Sequence, residues 1–501
     1  MDLIGNLATG FSVALTVANL AYCLAGAVIG TLIGVLPGIG PVATMAMLLP
    51  ITATLPPTSS LIMLAGIYYG AQYGGSTTAI LINLPGESSS SVTTIDGYQM
   101  ARRGRAGPAL AAAAIASFFA GSVSTLVIAL FALPLTAVAL RFGPPEYFAL
   151  MVFGLVSSVA LASGSTLKAI GMILLGLLLG LVGTDLYTGA PRFTFGSMDL
   201  ADGIDFVAVA VGVFGLSEIL RNLEDESPTR SAAIQKVSGL WPSREDLRRI
   251  VAPTLRGTFI GAALGILPGG GALLSAFAAY TIEKKLSRNS REFGSGAIEG
   301  VAAPESANNA GAQTSFIPML TLGIPSNPVM ALMIGAMIMQ GIAPGPNVAT
   351  EKPELFWGVI ASMWVGNAML VLLNLPLIGI WVRLLSIPYY VLFPAIVAFC
   401  AIGVYSVDNN AFDLFEVTVF GLLGYALVKL DCEPAPLVLG FILGPMIEEH
   451  FRRSMIISLG DPSVFVTRPI SAGLLFLAAV ALVIVSLPAI ASKREKVFVD
   501  E

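Results

Sequence analysis

The chain has 501 residues, of which 55% are hydrophobic and 11% charged, and its formal net charge is −5. With a mean hydropathy of +0.84 and recurrent apolar stretches of the length that a hydrocarbon core about 30 Å thick demands, it is expected to be an all-α polytopic membrane protein with no sizeable soluble domain. One histidine, His450, excludes a multi-histidine metal site; Cys23, Cys400 and Cys432 lack metal-binding or redox spacing, and no phosphate-cradling Walker A motif is present.

The N-terminal MDLIGNLATGFSVAL lacks a basic n-region, so it does not read as a cleaved signal peptide. The next apolar segment, IGTLIGVLPG (29–38), runs straight into Pro-Gly, and LPGIGP (36–41) reads as a hairpin tip. A helix broken in lipid exposes backbone groups that hydrocarbon cannot satisfy, so such breaks persist only inside protein or beside a wet cavity. An uncharged loop, ITATLPPTSS (51–60), precedes Gly70-Ala71-Gln72, and a second break follows at NLPGESSSS (83–91). ARRGRAG (101–107) is a basic loop before long apolar segments that carry IASFFAG (115–121), LPL (133–135), Pro145 and GLLLG (176–180). The stretch 222–249, with charges of both signs and Ser-Pro-Thr, reads as a solvated cytoplasmic linker.

Beyond it the features return. IGAALGILPG (260–269) matches 29–38 at six of ten positions, 231 residues on, and Gly311-Ala312-Gln313 repeats Gly70-Ala71-Gln72. GIPSNP (323–328) faces the 83–91 break, with Pro325 lying 240 residues after Pro85. IASMWVG (360–366), LPL (375–377), Pro388 and GLLGY (421–425) answer the remaining matches in order. The shared order and near-constant offset define two related halves, about 12–222 and 245–450. The expected division is 1–222 as a first membrane repeat, 223–249 as the linker and 250–450 as a second membrane repeat. Residues 451–501 hold a last helix near 470–491 and a cytoplasmic tail.

Positive charge orients the halves. The loop 51–60 is neutral and its counterpart KKLSRNSR (284–291) strongly basic, whereas basic 101–107 corresponds to APGPNVATEKPE (343–354), which is net negative. Corresponding loops therefore fall on opposite faces, as in the inverted repeats of secondary transporters. Threading this topology places 20 of the 26 Lys and Arg in the cytoplasm, against Arg141, Arg192, Lys352, Arg452, Arg453 and Arg468 outside. LPGGG (267–271) then becomes the tip of a re-entrant hairpin entering from the cytoplasm, and 36–41 its mirror image from outside.

Four breaks near one midplane would offer backbone N–H groups and partial positive charge to an anion, and carbonyls to a cation. That describes release-competent binding of a carboxylate. Intramembrane Glu87 and Glu305 are candidates for holding a cation or proton, because charge there is costly; Asn308, Asn309 and Gln313 are equally consistent with bonds between helices. Glu448-Glu449-His450, beside Arg452 and Arg453, reads as interfacial. No nucleophile–base constellation points to an enzyme, and a channel fits paired breaks poorly.

The runs GVLPGIGPVATMAMLLP, IYYGAQYGGSTTAILINLPGE, DGYQMARRGRAGPAL and AAPESANNAGAQTSFIPMLTLGIPSN closely resemble the large membrane subunit of the bacterial tripartite tricarboxylate transporters (TctA-like), over nearly the whole chain. The match covers Pro37-Gly38, Gly70-Ala71-Gln72, Asn83 to Glu87, Pro268-Gly269 and Asn308 to Gln313; LTVANLAYC (15–23) departs from the family's expected helix start. The resemblance implies cation-coupled import of citrate or a related carboxylate across the inner membrane. It also implies a periplasmic solute-binding protein and a small membrane subunit, with no nucleic-acid partner; the cytoplasmic C-terminus follows from the basic tail KREK in the threaded topology. The architecture is similar to that of TRAP carriers, which implies an elevator motion of the two hairpins against bracing helices around 107–140 and 355–385. Broken-helix geometry and resemblance together nominate Gly38, Gly40, Asn83, Gly86, Ser88, Gly269, Gly270, Ser326 and Asn327 for substrate, and Ser76, Thr77, Asn308, Asn309, Thr314 and Ser315 for a coupling cation. No cofactor is expected beyond that ion, Na⁺ with H⁺ as the alternative. The rival reading is a stand-alone carboxylate carrier needing no binding protein.

Overall fold

A computed structural model of the chain describes residues 3–36, 40–161, 165–185, 187–224, 237, 239–267, 271–384 and 389–486. The first half opens with α1 (Leu3–Ala14) and α2 (Val17–Val35), separated at Thr16, whose hydroxyl accepts from the Asn19 amide and caps α2. After the first tip, α3 (Pro41–Ala53) leads to α4 (Pro57–Ile82), buried almost throughout. A 3₁₀ turn (Ser88–Ser90) and α5 (Ser91–Arg102) follow the second break. Then come α6 (Ala106–Ala139), α7 (Pro144–Leu161), α8 (Thr166–Gly180) and a small hairpin of β1 (Gly183–Thr184) and β2 (Pro191–Arg192). The half closes with α9 (Phe206–Ala210), which passes through a π turn at Val211–Leu216 into α10 (Ser217–Glu224).

The second half runs α11 (Arg244–Gly265), α12 (Gly271–Leu286), α13 (Glu299–Thr314), α14 (Phe316–Leu322) and α15 (Pro328–Met339). It continues with α16 (Asn347–Glu351), α17 (Pro353–Asn374), α18 (Ile378–Leu384), α19 (Tyr389–Asp408), α20 (Ala411–Lys429) and α21 (Pro434–Ile457). The described chain ends with α22 (Val464–Thr467) and α23 (Pro469–Ser486). Five helices among the described residues are long and apolar enough to cross a membrane: α2, α6, the continuous Phe206–Glu224 segment, α17 and α20. The chain is a multi-pass helical membrane protein.

Two glycine ladders explain how the broken hairpins pack. Hydrocarbon gives helices no hydrophobic reason to associate, so small residues that let backbones touch dominate their seams. A Cβ on Gly26, Gly30 or Gly34 of α2 would lie 2.2–2.4 Å from the carbonyl oxygens of Met63, Ile67 and Ala71 on α4. In α11, Gly257, Gly261 and Gly265 meet Ala303, Ala307 and Gly311 of α13 equally closely. The halves also embrace each other: α2 lies on α17 while α11 lies on α6, and α8 packs on α21 while α20 packs on α9 and the π turn.

A buried carboxylate of the first half grips a loop of the second. Asp96 of α5, fully buried, accepts backbone N–H bonds from Gly294, Gly296 and Ala297 at 2.7–2.9 Å, and the Tyr280 hydroxyl donates to it at 2.9 Å.

Several expectations shift in detail. α11 opens at Arg244, inside the 223–249 stretch read as linker, because Ser243 and Asp246 form a capping box there and Asp246 pairs with Arg105 at 2.5 Å. The expected brace at 355–385 is interrupted between α17 and α18 at the 375–377 LPL. Pro388, residues 225–236 and 238 of the linker, and the tail beyond Ser486 lie outside the described residues.

Candidate functional site

The breaks end helices in the same way. Asn83 (φ 59°) caps α4 and Gly323 (φ 71°) caps α14, both left-handed, and each is followed two residues later by Pro85 or Pro325. After each turn an acceptor side chain starts the next helix: Glu87 before the 3₁₀ turn, and Asn327 before α15, where Oδ1 accepts from the Met330 amide at 2.9 Å. A carboxylate and an amide thus stand two residues after Pro85 and Pro325 respectively.

A cavity of about 220 Å³ collects these ends. Pro41 starts α3, Gly271 starts α12 and Pro328 starts α15; all three line it, with Glu87, Ser88 and Ser89 from the first break and Ser326 and Asn327 from the second. Tyr68 and Gln72 of α4 form one wall, and Gly154 and Ser158 of α7 with Glu433 at the start of α21 form another. No Lys, Arg or His lines it among the described residues.

Beside the cavity lies a polar cluster with no ion pair among the described residues. Glu87 Oε1 accepts from Asn308 Nδ2 at 3.3 Å and contacts the Ser89 hydroxyl, which also reaches Gln72 Oε1 at 3.1 Å. Asn308 Oδ1 is buried with no partner. Deeper in, Glu305 of α13 has no exposed surface. Ser76 Oγ donates to its Oε2 at 2.6 Å, Ser117 Oγ lies at 3.5 Å, and the Thr93 hydroxyl bonds its Oε1. Asn309 Nδ2 donates to Ser117 at 2.7 Å, which leaves the Ser117 proton free to face Glu305. Next to it, Tyr73, Ser76, Thr77, Ser117 and Asn374 enclose a void of about 10 Å³, room for one water-sized occupant; Asn374 Oδ1 there is buried and unpaired.

Of the residues nominated for substrate, Ser88, Ser326 and Asn327 line the cavity, and Gly40 directly precedes the lining Pro41. Gly38, Gly269 and Gly270 lie outside the described residues. Asn83 is exposed and absent from the lining, because its backbone serves as the left-handed cap of α4. Gly86 is also off the cavity: a Cβ there would stand 1.9 Å from the Gly34 carbonyl, so its role is close packing against α2. Of the cation nominees, Ser76 and Asn309 gather at Glu305, Asn308 at Glu87 and Thr77 at the small void. Thr314 instead fills the α11 seam and bonds its own helix, as does Ser315, whose carbonyl accepts from Ser326.

Sequence reasoning left out Tyr68, Ser89, Thr93 and Ser117. Tyr68, Gln72 and Ser76 recur every fourth residue, a one-face spacing on α4 that points to them. Ser117 carries no such mark, since it reaches Glu305 only through the docking of α6 on α13.

Comparison with known proteins adds the family. The model of the tripartite tricarboxylate transporter TctA family matches residues 20–439. An uncharacterized 52.8 kDa protein in the TAR-I ttuC' 3' region of Agrobacterium vitis is 65% identical over 501 residues, the whole of both chains. An uncharacterized protein in the TAR-II ttuC' 3' region of the same organism is 64% identical over 241 residues, 48% of this chain and all of that one. No solved structure matches.

Proposed function

The chain belongs to the tripartite tricarboxylate transporter TctA family, and we propose that it is the carrier through which a carboxylate such as citrate crosses the bacterial inner membrane, coupled to cation flow. On this reading a periplasmic solute-binding protein delivers the substrate, and a small membrane subunit completes the complex. The observation that carries it is the meeting of four broken-helix ends from two halves on one cavity. Helix starts supply N–H donors and the positive end of the dipole to an anion without a cationic side chain. Ser88, Ser326 and Asn327 add neutral donors that bind and let go.

The reciprocal packing of α2 on α17 with α11 on α6, and the twin glycine ladders, support an inverted repeat. The hairpins α2–α3 and α11–α12, with α4 and α13, form the candidate moving unit, braced by α6 and α17. The candidate Na⁺ position is beside Glu305, where Ser76, Thr93 and Ser117 add hydroxyl oxygens to a carboxylate that has no basic partner among the described residues.

The test is uptake of labelled citrate and dicarboxylates into proteoliposomes holding this chain and its small subunit. A Na⁺ or H⁺ gradient is imposed, with and without the binding protein. Uptake requiring both the binding protein and a gradient is expected. Uptake without the binding protein would make this a stand-alone carrier, and flux indifferent to both gradients would overturn coupled transport.

A further inference from the structure

The contact between α6 and α11, helices from different halves, leaves a second cleft of about 310 Å³ that shares no residue with the cavity at the breaks. Ile115 and Phe119 of α6 face Leu247, Val251 and Leu255 of α11 across it. The lining is apolar except at Thr254, which is 7% exposed and whose hydroxyl is buried without a partner. A helical threonine ordinarily satisfies its hydroxyl on the carbonyl one turn back, as Thr258 does on Thr254 at 2.7 Å. Thr254 does not, so the cleft holds a buried donor that lacks an acceptor.

Positive charge marks one end of the cleft. Of the four arginines on α11, Arg249 is held by Glu292 and Glu299 and Arg256 by Glu283, and Arg105 next to them is held by Asp246. Arg244 and Arg248 are exposed and pair with no carboxylate among the described residues. The spacing 244, 248, 251, 255 puts both of them on one helical face with two walls of the cleft, and Phe259, 76% exposed, continues that face. Trp241, 74% exposed, stands three residues before α11, and tryptophan favours the headgroup region of a bilayer.

Arg248 and Thr254 stand about 9 Å apart along the helix, with apolar walls between and beyond them. Phosphate, glycerol ester and acyl chain follow one another in a phospholipid in that same order. The charge bias places this end of α11 at the cytoplasmic leaflet, whose anionic lipids attract exposed arginines.

We propose that this cleft binds one anionic phospholipid: Arg244 and Arg248 hold its phosphate, the Thr254 hydroxyl donates to an ester carbonyl, and an acyl chain lies between α6 and α11. The site is separate from the cavity at the breaks and stands whether or not the chain carries a carboxylate. Because its walls come from both halves, the bound lipid ties α6 to α11 and stabilises their contact.

The experiment titrates the full chain in detergent with phosphatidylglycerol or phosphatidylcholine, read by native mass spectrometry and thermal unfolding. Wild type should retain one phosphatidylglycerol at concentrations where it releases phosphatidylcholine, and phosphatidylglycerol alone should raise its apparent melting temperature. Affinity should fall about fivefold for each arginine removed in Arg248→Gln and in Arg244→Gln/Arg248→Gln. Val251→Trp, which fills the cleft from its exposed wall, should lose the lipid as well. Arg288→Gln/Arg291→Gln removes the same charge from the exposed stretch after α12 and should stay within about twofold of wild type. Equal retention of the two lipids by wild type would overturn the proposal even if every variant failed to fold. So would equal losses in the two arginine pairs, or full retention in Val251→Trp. Release of the lipid when the small membrane subunit is added would assign the cleft to that subunit and overturn the proposal too.

Discussion

At the scale of single residues, Asp96 is the strongest structural commitment in the chain. A charged carboxylate taken wholly out of water has to be hydrogen-bonded on every side, and Asp96 has three backbone amides on Oδ1 and a tyrosine hydroxyl on Oδ2. Those amides belong to the loop that starts α13, so a residue of the first half fixes where Glu305 and Asn308 of the second half begin. Asp96→Ala leaves the buried Ala297 amide and Tyr280 hydroxyl without their acceptor, at about 1–3 kcal/mol for each. We expect the apparent melting temperature in nanodiscs to fall clearly for Asp96→Ala and less for Asp96→Asn, which keeps one carbonyl acceptor. Equal melting temperatures for the two variants and wild type would show that the loop is held by something else. Nothing around DGYQM in the sequence announces this role, because the partners are backbone N–H groups some 200 positions away and a backbone donor has no residue type to recognise.

At the scale of elements, the hairpins are held by backbone contact. Gly261 of α11 shows how little room there is: a Cβ would stand 2.2 Å from the Ala307 carbonyl and 2.7 Å from its Cα, and a helix backbone cannot yield as a flexible side chain can. Gly261→Val is expected to cost at least the 1–3 kcal/mol typical of overpacking and to separate α11 from α13. Gly171→Val, in α8 where a Cβ meets nothing within 4 Å, should stay within about 0.5 kcal/mol of wild type. Thermal unfolding of the two variants side by side checks the contrast, and equal losses would mean that helix propensity rather than packing controls the seam. The four breaks were legible in the sequence because Pro and Gly interrupt apolar runs that otherwise have no reason to stop. The ladders were hidden in plain view: with 53 glycines in the chain, an interval of four is unremarkable until a partner backbone is seen against it. Asn83 stands off the cavity for a related reason. An amide next to a break looks like a ligand, but its left-handed backbone ends α4 and its side chain is exposed.

At the scale of the whole molecule, the charges supply a check independent of the repeats. Arg105 pairs with Asp246, Arg249 with Glu292 and Glu299, Arg256 with Glu283, and Lys429 with Glu224, all groups that the charge bias places in the cytoplasm. Arg192 and Arg452 share Asp185 and Glu448, while Arg468 takes Glu146, all on the face assigned to the outside. Among the described residues no ion pair joins an inside group to an outside one, as a slab of hydrocarbon between them requires. Opposed orientation of the halves then makes a prediction that a parallel repeat does not. Thr54 and Arg288 lie in corresponding loops, as do Arg103 and Thr350, and all four are exposed. Cysteines are introduced singly at these positions, with Cys432, the half-buried native thiol, replaced by serine. In intact spheroplasts a membrane-impermeant maleimide should label Thr54→Cys and Thr350→Cys, and it should reach Arg103→Cys and Arg288→Cys only after permeabilisation. Members of a corresponding pair labelled from the same side would make the repeat parallel. The two tips would then enter from one face, and a cavity bounded by mirrored hairpins would lose its basis for alternating access.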